Sequence, residues 1–85
     1  MEFLKEYFDN FEDIANINKI HMLRICFSAI HKMIENCKNE TSLIQDKYHI
    51  LDLTDYHNFN NFFLSHGYFI SRVNGDTFLI KKKEG

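Results

Sequence analysis

The side chains able to hold a metal or attack an electrophile are His21, His31, His49, His57 and His66, together with Cys26 and Cys37. A helical zinc site needs ligands three or four residues apart on one face, and no histidine here has a histidine or cysteine at that spacing. There is no paired-cysteine knuckle either, so the sequence implies no metal and no cofactor. Both cysteines fall in apolar stripes of a helical pattern, where burial would raise their pKa and shield them. On one straight helix they would stand about 16 Å apart, beyond disulfide reach. The glycines are Gly67, Gly75 and Gly85, none of them in a phosphate-cradling loop. Asp52 and Asp55 lie close together, but carboxylates at a helix start cap backbone amides more often than they transfer protons. No catalytic residue is nominated, and the chain is expected not to be an enzyme.

The elements that position these groups are read from periodicity. Phe3, Leu4, Tyr7, Phe8, Phe11 and Ile14 recur at helical spacing with Glu2, Glu6, Asp9, Glu12 and Asp13 between them. This predicts an amphipathic helix near residues 2–15 with an acidic outer face. Ile20, Leu23, Phe27, Ile30, Ile34 and Cys37 step by threes and fours beside a second stripe of Met22, Cys26, Ala29 and Met33. A central helix capped by Asn18 is expected there, with Phe27 and Ile30 fully buried. Ser42-Leu43-Ile44-Gln45 has the form of a capping box, predicting a short third helix with Ile44, Tyr48 and Leu51 inward, although residues 48–53 also tolerate a strand. Thr54 or Asp55 should cap the next helix, which turns Tyr56, Phe59, Phe62 and Phe63 inward and stops at a left-handed Gly67. Residues 68–73 and 76–82 flank Asn74-Gly75, the pair suited to the two positive-φ positions of a type I′ hairpin turn. In that register Phe69 faces Ile80, Ser71 faces Phe78, Ile70 faces Leu79 and Arg72 faces Thr77.

A chain of 85 residues is expected to form one domain: an N-terminal amphipathic helix over 1–17, a helical core over 18–67 and a β-hairpin over 68–83. With 45% hydrophobic residues and nine phenylalanines, it is too apolar for charge-driven disorder. The net charge of −2 is unevenly spread, acids crowding the first fourteen residues and Lys81, Lys82 and Lys83 closing the chain. That balance lacks the basic excess of a dedicated nucleic-acid binder. No apolar run reaches the length of a membrane span and no leader pattern opens the chain, so a cytoplasmic protein that does not engage membranes is expected.

After residue 18 the order is helix, short helix or strand, capped helix, then hairpin. This order resembles a winged helix-turn-helix domain, carried by Ser42 to Gln45, Asp55 to Gly67, and Tyr68 to Lys82 with Asn74-Gly75 at the wing tip. The expected fold is therefore α+β, with three to four helices packed with a C-terminal two-stranded β-hairpin in a winged-helix-like manner. The resemblance implies that residues 55–66 would enter the major groove while Arg72, Lys81, Lys82 and Lys83 grip phosphates. The polar positions of that helix include His57, Asn58 and Asn61 but no Lys or Arg. A DNA-binding transcriptional regulator is thus the second reading. The first is a small non-catalytic protein that occupies the surface of a protein partner. Glu6, Asp9 and Asp13 of the first helix are its leading candidate contacts, with His57, Asn58, Asn61, Arg72, Lys81 and Lys82 beside them. The Asn, Ile, Lys, Phe and Tyr bias is similar to that of small phage or mobile-element inhibitors and regulators of host machinery.

Overall fold

The computed structural model describes residues 17–84. The helix expected over 2–15, with Glu6, Asp9 and Asp13, lies outside the described residues. In chain order the elements are α1 (Ile17–Glu35), β1 (Ile44–Gln45), α2 (Leu53–Ser65), β2 (Tyr68–Arg72) and β3 (Thr77–Lys82). Among the described residues this gives an α+β arrangement of two helices and a three-stranded antiparallel sheet, ordered β1-β3-β2. The expectation of three to four helices with a two-stranded hairpin is corrected. The stretch assigned to a short helix supplies a third strand instead, so among the described residues it forms no helix-turn-helix pair with α2. The element order is only loosely compatible with a winged helix.

α1 buries Met22, Leu23, Cys26, Phe27, Ile30 and Met33, the inward stripe that its three-four spacing requires. Asn18 stands inside the helix rather than at its cap. The helix closes before Cys37, not beyond it. The Cys37 amide donates to the Ile34 carbonyl at 3.1 Å and the Lys38 amide to the Met33 carbonyl at 3.0 Å. That pair of bonds is a Schellman stop, whose turning residue must be left-handed; Cys37 takes that place at φ 52°. Its thiol is therefore exposed, and Ile34 half-exposed, where both were expected in an apolar stripe.

α2 begins at the N-cap Asp52, two or three residues before the expected Thr54 or Asp55. Asp52 Oδ1 accepts the Asp55 amide at 2.8 Å, and Asp55 Oδ2 accepts the Asp52 amide at 3.0 Å. The two carboxylates thus form a reciprocal capping box. Tyr56, Phe59, Phe62 and Phe63 all face the core, and the helix ends at a left-handed Gly67 with φ 87°. Phe27 of α1 meets Phe62 and Phe63 edge-on, with ring centroids 6.1 and 5.9 Å away.

Residues 46–51 form no helix because Asp46 organises them otherwise. Its buried carboxylate accepts the Ile50 and Leu51 amides at 2.9 Å each, and its carbonyl accepts the His49 amide at 3.1 Å. A side chain that satisfies neighbouring amides competes directly with helical hydrogen bonding. Ile44 and Leu51 reach the core by this route, whereas Tyr48 remains 77% exposed.

The hairpin forms one residue out of the expected register. Ile70 pairs with Ile80, Ser71 with Leu79 and Arg72 with Phe78. The slip places Tyr68, Ile70, Phe78 and Ile80 on one face, where they join the core; the predicted pairing would have set Ile70 opposite Leu79 and divided them. The longer loop that results needs no type I′ turn, and neither Asn74 nor Gly75 has positive φ. Instead the Asn74 side-chain oxygen accepts the Asp76 and Thr77 amides, both at 3.1 Å.

Candidate functional site

The candidate chemical groups do not gather. His21, His31, His49 and His57 are exposed on separate stretches, and His66 packs its ring 4.9 Å from that of Phe62. His31 pairs with Glu35 at 2.9 Å one turn along α1, and His57 shares a hydrogen bond with Asn61 at 3.1 Å. Among the described residues no group of three His, Cys, Asp or Glu is placed to hold a metal ion. Burial pushes the Cys26 thiol up to about 12, which leaves it protonated and unreactive near neutrality.

Several candidate contacts are already occupied within the chain. The Arg72 guanidinium lies 4.4 Å from the centre of the Tyr56 ring and donates to the Gly75 carbonyl at 2.7 Å. Lys19 Nζ lies 2.9 Å from Asp55 Oδ2, which ties α1 to the start of α2. This hydrogen bond to Asp55 is the main reason that the Lys19 pKa is raised. Asn60 turns inward from the polar side of α2, its Oδ1 accepting the Ile70 amide at 2.9 Å. His57 and Asn61 are exposed and Asn58 half-buried, on a helix without a lysine or arginine. Lys81 and Lys82 line a shallow depression with Lys38 and Phe69, to which α2 contributes nothing. The structure therefore does not bring the wing lysines together with His57, Asn58 and Asn61.

A different feature collects exposed apolar surface, and none of its apolar residues was singled out as a contact from the sequence. A groove of about 420 Å³ runs between α1 and the chain leading into β1. One wall is the α1 stripe Ile25, Ser28, Ala29, Lys32 and Met33 with Asn36 just beyond it; the other is Lys38 and residues 40–44. Met33, Thr41 and Ile44 are buried at its base, while Ile25 is 36% and Leu43 61% exposed along it. Lys32 and Lys38 line it with Glu40, leaving one net positive charge. The helical wall was visible in the sequence as the flank of the central stripe, but the second wall was hidden once residues 42–45 were assigned to a helix.

Among the described residues no helix is long and apolar enough to cross a membrane. Comparison with known proteins finds no matching family model, no matching curated protein and no matching solved structure.

Proposed function

We propose that this chain is a small non-catalytic binding protein that acts by occupying a surface of a protein partner. The observation that carries the reading is the open groove between α1 and β1, with Ile25 and Leu43 exposed along it. Exposed apolar residues grouped around a concave, partly charged surface are what a protein interface uses, whereas scattered ones need no explanation. Glu6, Asp9 and Asp13, the leading contacts expected from the sequence, lie outside the described residues. In its finer form the reading makes the chain an inhibitor or regulator of host machinery carried by a phage or mobile element, supported by composition alone. The DNA-binding alternative has no comparable support, since Arg72 is stacked on Tyr56 and α2 offers no cation.

The test is affinity capture with wild-type protein and Leu43→Asp side by side, followed by titration of the purified captured protein. Leu43 is exposed, so its replacement should leave folding intact. A partner that binds the wild type and binds Leu43→Asp at least about tenfold more weakly supports the reading. Binding that ignores the substitution overturns the groove as its basis.

A further inference from the structure

We propose that the groove takes an extended, acidic segment of a partner protein, added as a fourth strand to the free edge of β1. This rests on the binding reading above and specifies what the partner presents. A sheet ordered β1-β3-β2 has two edges, and they are not equivalent. At the β2 edge the outward-pointing Ile70 amide is taken by Asn60 Oδ1, and α2 packs against that strand. Among the described residues nothing equivalent is found at the β1 edge. Ile44 lies opposite Phe78, and the Asp46 amide bonds across to the Asp76 carbonyl, which assigns alternate residues to the β3 side of the ladder. Gln45, which lies between them, directs its backbone groups away from β3, and Leu43 immediately precedes Ile44 at the same edge. The Leu43 amide has no hydrogen-bond partner among the described residues.

An edge alone is a weak argument, because proteins blunt exposed edges with short strands and lysines, and β1 is two residues long with Lys38 nearby. Blunting, however, does not call for an apolar trough beside the edge. Here α1 lies across from β1, and the small Ser28 and Ala29 leave the space between Ile25 and Met33 open. Strand addition supplies affinity through main-chain bonds and specificity through pockets for alternate side chains. A helix docked in this groove, with its main-chain carbonyls satisfied internally except in the last turn, would offer the edge no ladder of acceptors. The volume, near the lower end of the ~300–1,000 Å³ typical of ligand sites, suits the alternate side chains of a short strand. Lys32 and Lys38 outnumber Glu40, so carboxylates between those apolar side chains are favoured.

The probe is a short peptide alternating Val with Glu, titrated into isotopically labelled full-length protein. The expected result is at least about tenfold slower amide exchange at Leu43 and Gln45, with no change at Ile70. The same peptide with alternate amides N-methylated should lose at least about tenfold in affinity, as should the unmodified peptide against Ala29→Arg. The double variant Lys32→Glu, Lys38→Glu should prefer a peptide alternating Val with Lys. Equal binding of the N-methylated peptide, protection at Ile70 instead of Leu43, or no binding at millimolar peptide would each overturn the proposal. Concentration-dependent protection of Leu43 without peptide would make the occupant a second copy, which also overturns it. A captured partner that depends on Leu43 but leaves its amide unprotected overturns strand addition while the binding reading stands. A partner indifferent to Leu43→Asp overturns both.

Discussion

Thr41 holds Ile80 at two points: its hydroxyl oxygen accepts the Ile80 amide at 3.0 Å, and its own amide donates to the Ile80 carbonyl at 2.9 Å. The hydroxyl in turn donates to the Ser42 carbonyl at 2.9 Å. One buried threonine thus fixes the chain that forms a wall of the groove onto the middle strand. Thr41→Val keeps the shape but leaves the buried Ile80 amide unsatisfied, and should cost about 1–3 kcal/mol in urea denaturation. Thr41→Ser should retain most of the stability; equal losses for both would show that the methyl group matters and the hydroxyl does not.

Phe27 is 1% exposed and meets two aromatic rings of α2 edge-on. Phe27→Ala should destabilise by about 3–5 kcal/mol, a large part of what so small a domain possesses. Thermal or denaturant melts will show this, and an unchanged midpoint would contradict the core assignment.

The two thiols should behave oppositely. Cys37 is exposed and should react with a thiol reagent at neutral pH, while buried Cys26 reacts only on unfolding. Because the folded pKa of Cys26 is raised from 9.0 to about 12, its contribution is fully present below pH 9. It is lost as pH rises from there toward 12, the unfolded state alone ionising in that window. Reagent kinetics and an alkaline denaturation series of Cys26→Ala against wild type will measure both. Cys37→Gly should stabilise by about 0.5–1 kcal/mol, since glycine meets no Cβ penalty at the left-handed position.

The two internal glycines should differ in the same measurement. Gly67 sits at φ 87°, so Gly67→Ala should cost about 1 kcal/mol or more although nothing crowds the new methyl. Gly75 has an ordinary φ and open space around it, so Gly75→Ala should fall within about 0.5 kcal/mol of wild type. Equal effects would mean that the hairpin turn requires the positive φ that Asn-Gly pairs usually signal.

Long periodic patterns were legible in the sequence, and short ones were not. The inward faces of α1 and α2 followed from repeated three-four spacing, and Gly67 from its place at the end of one such run. Ser42 to Gln45 satisfied a local capping pattern, yet Ile44 was needed opposite Phe78, thirty-four residues away, a demand no local window reveals. The hairpin register was lost for a similar reason, because Asn74-Gly75 is a strong turn signal but the common burial of Ile70 and Ile80 outweighs it. The acidic pair at Asp52 and Asp55 was rightly read as capping, with the cap itself misplaced by two or three residues. The groove stayed hidden because one of its walls depends on the misread strand.

The pairing of Thr41 with Ile80 closes a loop of thirty-nine residues, whereas α2, β2 and β3 meet through close neighbours in the chain. Closing the longer loop costs more chain entropy before any contact repays it. The helix and hairpin over 53–82 are therefore expected to form the folding nucleus, with the 39–45 segment docking after the barrier. Thr41→Val should accordingly change the unfolding rate far more than the folding rate, while Ile80→Val should slow folding. In the native state that late-docking segment should open more readily than the helix and hairpin over 53–82, which would give the groove wall a local unfolding equilibrium of its own.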